Sequence, residues 1–290
     1  YVAGDNTTFN RASVNMSQVQ YDDDPHKKLA SASALSTIIH PLNPYAPSMH
    51  MHISWTELKS GKGYWRMMAD LNPAIPVQDL KERFEQCLQT AAGGNYPEAT
   101  AQGERYFYIP ALKRHRGVAH FYLEAFSTDD PIADSELAER LGTEVIKTYP
   151  QLIKSAHKQH AEITSAAQQA QLDYHSVYFF QVLTLDRGTT SGLLVHNQND
   201  VGILGSLPSH VNKPLLLSWQ ALLPKPQDQL LQTLLDVLPD TDPCPIDETS
   251  KQALAEAIRT HYQKHPQALD LQASGSIVPP TVANHQTQAD

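Results

Sequence analysis

Three histidines and a carboxylate lie close together between positions 40 and 70 of the sequence. His40 belongs to a prolyl segment, and His50 and His52 follow it in a stretch where apolar and polar residues alternate. This period of two is typical of a β-strand, and it places the imidazoles of His50 and His52 on one face, about 7 Å apart. Asp70 ends a second strand-like stretch, which follows a Gly-containing turn. Imidazoles and a carboxylate on paired strands are the usual material of acid–base and metal sites.

A further polar strand, over residues 118–125, carries two more candidates. Its alternation places His120 and Glu124 on one face. If this strand lies beside the one that carries His50 and His52, all four side chains face one pocket from strands about 4.8 Å apart. Three histidines with a carboxylate form a competent ligand set for Fe(II), Cu or Zn. The pattern therefore predicts a divalent redox metal, iron or copper, bound by His50, His52, His120 and Glu124. Taken singly, each histidine could equally be a hydrogen-bonded residue of a cavity wall.

The elements that must position these residues alternate between hairpin-like strands and helices. Strands are predicted over 12–21, 49–56, 64–70, 118–125, 175–185 and 190–196. Helices are predicted over 27–35, 77–91, 132–172, 225–238 and 249–264, the third of them interrupted at Tyr149-Pro150. This order predicts an α+β fold with one large antiparallel β-sheet packed by helices. We expect a polar N-terminal segment with an edge strand (1–28), a single domain (12–272) and a disordered tail (273–290).

Composition limits the classes of function. The chain has 290 residues and a net charge of −9, which argues against nucleic acid as a partner because phosphate binding needs a basic surface. No run approaches eighteen apolar residues, so a membrane span is not expected, and no signal peptide is visible at the start. Cys87 and Cys244 are the only cysteines, a usage that favours a reducing compartment, and the cytoplasm is expected.

Several segments, in the same order along residues 12–215, resemble the oxygen-dependent coproporphyrinogen III oxidases. They include HPLNPYAPSMH at 40–50, ADLNP at 69–73, DRGT at 186–189 and ILGSLP at 203–208. The resemblance implies a large antiparallel sheet flanked by helices on both faces, and a homodimer. It also implies an activity that removes carbon dioxide from two propionates of a tetrapyrrole, with oxygen and without an organic cofactor.

The resemblance also implies roles for individual residues. His50 matches the proposed proton donor, and Asp70 matches a catalytic carboxylate that contacts the pyrrole nitrogens. Glu124 stands where the family has Asp, and we expect it to act as a further base or ligand if a metal is bound. The expected substrate-binding residues are Ser36, Asn43, Arg116 and Arg187.

The chain departs from the family where two arginines hold the substrate. His52-Ile53-Ser54 stands in place of Asn-x-Arg, and Asn197-Gln198-Asn199 in place of Gly-Gly-Arg. A charge-assisted contact to one carboxylate is worth about 1.5–3 kcal/mol, so two lost contacts weaken binding of a tetracarboxylate substantially. Side chains also fill family glycine positions, among them that of His120.

Three functions follow from these observations. The first is an oxygen-using oxidoreductase on this scaffold, with a histidine-bound redox metal and a small-molecule substrate other than coproporphyrinogen. The second is a divergent, cofactor-free coproporphyrinogen III oxidase. The third is a protein that binds a tetrapyrrole, haem or metal without catalysis.

Overall fold

An antiparallel β-sheet of six strands forms the centre of the structure, a computed structural model that describes residues 2–5, 7–21, 26–159, 162–196 and 198–275. The strands within these residues are β1 (Val2–Ala3), β2 (Phe9–Gln20), β3 (Leu29–Pro41), β4 (Ser48–Leu58), β5 (Gly63–Asn72), β6 (Tyr108–Ile109), β7 (Arg114–His115), β8 (Ala119–Phe126), β9 (His210–Val211) and β10 (Cys244–Pro245). The large sheet has the order β1-β2-β3-β4-β5-β8, and β6–β7 and β9–β10 form two short ladders.

Helices cover both faces of this sheet. They are α1 (Gln78–Ala92), α2 (Tyr96–Tyr106), α3 (Pro131–Gln159), α4 (Ser165–Thr184), α5 (Arg187–Val195), α6 (Asp200–Ile203), α7 (Lys213–Ser218), α8 (Gln227–Asp236) and α9 (Glu248–Lys264). The predicted α+β class, with an antiparallel sheet between helices, is confirmed.

The two faces of the sheet differ in chemistry because successive side chains of a strand point in opposite directions. One face is apolar, with Met49, Met51 and Met67 fully buried against α1 and α3. The other face carries small and polar side chains along β2, β3 and β4. A second core joins α4, α8 and α9 to one another. The sheet therefore stabilises the fold through one face and leaves the other for a site.

Most of the predicted elements are present. The strands expected over 12–21, 49–56, 64–70 and 118–125 correspond to β2, β4, β5 and β8, and the helices over 77–91, 225–238 and 249–264 to α1, α8 and α9. β2 forms the outer edge along most of its length, because β1 pairs only with residues 12 and 13.

Four predictions are wrong. Residues 175–185 and 190–196 belong to helices α4 and α5 rather than strands, and residues 29–35 belong to strand β3 rather than a helix. The helix expected to break at Tyr149-Pro150 continues through Pro150 to Gln159. Tyr149 is buried there and its hydroxyl donates to the Pro47 carbonyl at 2.8 Å, so packing holds the helix together despite the lost backbone donor.

The C-terminal residues that the structure describes pack against the domain. Ala273 N donates to the Leu185 carbonyl at 2.9 Å, and Gly275 N donates to Glu124 Oε2 at 2.7 Å. The rest of the predicted tail, 276–290, lies outside the described residues, and the single domain over 12–272 stays a prediction. Among the described helices, none combines the length and the apolar character that crossing a bilayer requires.

Candidate active site

A cavity of ≈ 640 Å³ lies between the polar face of the sheet and the helices α4, α5 and α6. Its floor consists of alternate residues of four strands: Ser13, Asn15 and Ser17 of β2; Ala32, Ala34 and Ser36 of β3; His50, His52 and Ser54 of β4; Arg66 and Met68 of β5. The small side chains of β2 and β3 leave the volume open. Small-molecule sites typically have volumes of about 300–1,000 Å³, so this cavity is the candidate site.

His50, Asp70 and Arg116 form a connected group in the wall of this cavity. His50 and Asp70 lie directly opposite each other on β4 and β5, and Asp70 Oδ1 lies 3.0 Å from His50 Nδ1. The Arg116 guanidinium donates from Nη2 to Asp70 Oδ2 at 2.8 Å. Because Nδ1 faces a carboxylate, it carries a proton, and Nε2 is the ring nitrogen left for chemistry on the cavity side.

Asp70 is ionised in this arrangement. Its side chain is fully buried, and burial alone raises the pKa of a carboxyl. The Arg116 charge and hydrogen bonds from His50 and Asn72 outweigh burial and hold the pKa of Asp70 well below its usual value. Asp70 therefore fixes the tautomer of His50 and balances the charge of Arg116.

The Arg116 guanidinium is held at both terminal nitrogens and by two aromatic rings, whereas its buried Nε has no partner among the described residues. Its Nη1 donates to Gln181 Oε1 at 2.6 Å, and its guanidinium lies over the rings of Phe107 and Tyr178 at 4.7 and 5.1 Å. The side chain is 1% exposed. The predicted substrate-binding residue thus lines the cavity, but its charge already pairs with Asp70.

A second group centres on Arg66, which the sequence analysis did not predict as a site residue. Arg66 donates to the hydroxyls of Tyr122 and Tyr106, both at 2.9 Å. Tyr122 in turn donates to Glu124 Oε1 at 2.6 Å, and Tyr106 donates to Asp186 Oδ1 at 2.7 Å. We call these five residues the Arg66 network. A second charged residue in β5, on the same face of the strand as Asp70, is the signal that could have identified Arg66.

Glu124, predicted as a base or ligand, lines the cavity as part of this network. Both of its carboxylate oxygens accept hydrogen bonds, one from Tyr122 and one from Gly275 N. Asp186 also lines the cavity, and it caps α5 by accepting from Thr189 N at 2.7 Å. Burial opposes ionisation of Asp186, but the Arg66 charge and its hydrogen bonds lower its pKa.

The four predicted metal ligands are not brought together. His50, His52 and Glu124 line the cavity, whereas His120 is 3% exposed and turned against α2. Its Nδ1 lies 2.7 Å from Glu104 Oε1 and its Nε2 2.7 Å from the Arg116 carbonyl, so both ring nitrogens are occupied. Across the described ranges, no three His, Cys, Asp or Glu residues are arranged to hold a metal ion. The residues do not fit the predicted histidine-bound metal.

His52 and His40 are neutral. Burial and then the nearby Arg66 charge lower the pKa of His52 to about 3. Burial likewise lowers the pKa of His40 to about 3. His40 is fully buried, and its ring nitrogens lie 3.0 Å from Ser48 Oγ and 3.0 Å from the Ser206 carbonyl, which makes it a structural residue.

Of the remaining predicted substrate-binding residues, Ser36 lines the cavity and the other two do not. Ser36 lies on the cavity floor between Asn15 and His52. Asn43 does not line the cavity; its Oδ1 accepts from Tyr45 N at 2.9 Å in the turn before β4. Arg187 is 6% exposed outside the cavity lining, and its Nε and Nη2 are buried with no partner among the described residues.

The sequence of the chain matches a known protein family. The family model described as coproporphyrinogen III oxidase matches residues 1–236. The oxygen-dependent coproporphyrinogen-III oxidase of Rickettsia akari (strain Hartford) is 28% identical over 185 residues, which are 62% of this chain and 64% of that protein. The oxygen-dependent coproporphyrinogen-III oxidase of Drosophila melanogaster is 28% identical over 187 residues, 62% of this chain and 47% of that protein.

The match to these relatives thus spans less than two thirds of the length of the bacterial protein and about half of that of the insect one. The family model, in contrast, covers most of the present chain, including every strand of the large sheet and the cavity beneath α5. The chain belongs to the coproporphyrinogen III oxidase family.

Proposed function

We propose that this chain is an oxygen-dependent oxidoreductase that decarboxylates propionate side chains of a coproporphyrinogen-type tetrapyrrole bound in the cavity. The observation that carries the proposal is the hydrogen-bonded group His50–Asp70–Arg116, set in the wall of a cavity of ≈ 640 Å³. The names of the relatives support the reaction type. The proposal replaces the metal-dependent reading, because the predicted ligands do not converge.

The chemistry defines what the protein must supply. Conversion of one propionate to a vinyl group releases one carbon dioxide, one proton and two electrons. Oxygen takes up the two electrons and two protons to form hydrogen peroxide. The substrate thus provides one of the two protons, and the second must come from the medium through a group in the site.

His50 is the group placed to carry that proton. Its Nδ1 is tied to Asp70 at 3.0 Å, and its side chain is 15% exposed on the cavity side. A histidine fixed by a buried carboxylate can donate or accept a proton at Nε2 without changing tautomer. Asp70 itself stays ionised and holds the ring in place.

The Arg66 network offers acceptors to the macrocycle. Porphyrinogen pyrroles present N–H groups, and the Glu124 and Asp186 carboxylates line the cavity near its β8 end. Carboxylate oxygens can each accept more than one hydrogen bond. Ser36 and Ser54, on the floor, add hydroxyls for further polar contacts.

We extend the proposal to a homodimer in the cytoplasm. Met16 and Val14, on the apolar side of the outer strand β2, are 83% and 42% exposed. A second copy of the chain, related by a twofold axis, would cover these exposed apolar side chains.

Aerobic incubation with coproporphyrinogen III tests the reaction. We expect vinyl products, and carbon dioxide and hydrogen peroxide in a 1:1 ratio, with no product under nitrogen. Folded protein that yields no vinyl product in air would contradict the proposal. Product formed at an equal rate without oxygen would contradict it as well.

A further inference from the structure

His120 has an unusual hydrogen-bonding environment for a buried histidine. Nε2 lies 2.7 Å from the Arg116 carbonyl, which can only accept, so this nitrogen donates. Nδ1 lies 2.7 Å from Glu104 Oε1, and the hydrogen bond from His120 is the main reason that the pKa of Glu104 is lowered. The Glu104 carboxylate is therefore ionised, and the two contacts together engage both ring nitrogens of His120.

Glu104 connects more than one element to this ring. It belongs to α2, and its Oε2 lies 3.0 Å from Nε2 of His115 on β7. The Glu104 side chain is 46% exposed, whereas that of His120 is 2% exposed. Phe107 stacks on His120 with ring centroids 5.2 Å apart and also contacts the Arg116 guanidinium. The buried ring is thus held by a carboxylate that reaches it from the surface.

These contacts hold the backbone of Arg116 in place. Arg116 N donates to the Phe107 carbonyl at 2.9 Å, and Arg116 O accepts from His120. Gly117, the next residue, has φ +80°, and a Cβ there would lie 2.7 Å from Leu71 O and 3.2 Å from His120 Nε2. The turn therefore has no room for a side chain between Leu71 and the His120 ring.

We propose that His120, held by Glu104, is a positioning residue that fixes Arg116 and, through Arg116 and Asp70, the orientation of His50. The contacts run in series: Glu104 to His120, His120 to the Arg116 carbonyl, the Arg116 guanidinium to Asp70 at 2.8 Å, and Asp70 to His50 at 3.0 Å. The catalytic meaning of this series rests on the proposed function, but its geometry does not.

Glu104→Gln tests the series because it removes the charge at an exposed position and keeps the shape. Imidazole ¹⁵N NMR of the wild-type protein at pH 7 should show His120 protonated on Nε2, which faces the Arg116 carbonyl, and His50 protonated on Nδ1. In Glu104→Gln we expect the signals of both His120 and His50 to shift. We expect kcat to fall about 10-fold with KM unchanged within about twofold, since small misplacements of a catalytic group lower the rate.

Two further variants complete the test. Glu104→Asp should restore the wild-type His50 signals and most of kcat, and Glu136→Gln, which removes an exposed carboxylate of α3, should leave both spectra and kcat unchanged. If Glu104→Gln does not fold, the His50 signals and kcat of His120→Asn test the same contact from its other end.

The proposal is overturned if wild-type His120 carries no proton on Nε2. It is also overturned if Glu104→Gln shifts the His120 signals while the His50 spectrum stays unchanged. A wild-type protein without turnover would refute the proposed function alone, because the NMR comparison needs no substrate.

Discussion

Replacing Asp70 by Asn removes one charge from the buried pair and keeps the volume of the side chain. Asp70 is 0% exposed and Arg116 1% exposed, with 2.8 Å between Oδ2 and Nη2. In Asp70→Asn the Arg116 guanidinium stays buried beside a neutral amide. We expect the free energy of unfolding to fall substantially, because an uncompensated buried charge is among the costliest changes in a protein core.

The size of the loss follows from what remains around Arg116. Removal of one partner from a buried pair costs about 3–5 kcal/mol. Arg116 keeps its 2.6 Å hydrogen bond to Gln181 and its contacts with two aromatic rings. These contacts soften the penalty, so we expect a loss of about 3 kcal/mol, the lower end of that range.

Urea unfolding measured by tryptophan fluorescence and circular dichroism gives this free energy, provided that the two transitions coincide. Asp79→Asn is the matched control: Asp79 pairs with Arg83 at 3.6 Å on the surface of α1 and is 59% exposed. The control should lose no more than about 1 kcal/mol. A loss below about 1 kcal/mol in Asp70→Asn would refute the reasoning, since Arg116 would not then depend on Asp70.

Three further predictions concern stability. Gly117→Ala should destabilise the protein by about 2 kcal/mol more than Gly61→Ala in urea unfolding, because both have φ near +80° but only Gly117 is crowded. Equal losses would contradict the crowding. Tyr106→Phe removes a hydroxyl with two hydrogen bonds in the Arg66 network, and it should cost about 1–3 kcal/mol; no loss would show that the network is loose. Burial holds the pKa of His40 at about 3, below its usual value of about 6.5, so the unfolded chain binds the proton first. The stability from neutral His40 is complete above pH 6.5 and falls by up to about 1.4 kcal/mol per pH unit as pH drops towards 3. Urea titrations from pH 7 to 4 should show a shallower slope in His40→Gln, and an unchanged slope would contradict the assignment.

The sheet could be predicted from the sequence because its central strands alternate. One side of β4 carries Met49, Met51 and Ile53, and the other carries His50 and His52. This alternation of apolar and polar residues is visible in the sequence and predicts a strand. Residues 29–35 could not be assigned correctly, because Ala-rich sequence favours a helix and only the tertiary packing selects β3.

α4 was predicted as a strand for a related reason. Residues 174–184 are buried on every side, so the helix shows no polar face and no period of 3.6. An apolar run rich in aromatic and β-branched residues, without that period, predicts a strand. Only its packing among α7, α8 and β9 distinguishes the two.

The candidate site could be predicted in part. His50 and Asp70 face each other across β4 and β5, as the strand alternation and the family resemblance suggested. His120 faces Asp70 in the same register, yet α2 covers it and Glu104 binds its ring. Register predicts which side chains share a face, but it does not predict which helix covers that face.

The most direct test of the central claim is single-turnover oxidation of coproporphyrinogen III in air by the wild type, His50→Gln and His52→Gln. His50 and His52 lie on the same face of β4, but only His50 is tied to Asp70. We predict that His50→Gln lowers the rate of vinyl formation at least about 100-fold, the lower range for loss of a general acid–base group, and that His52→Gln lowers it less than about 10-fold. Equal losses in the two variants, or wild-type turnover in His50→Gln, would contradict the account.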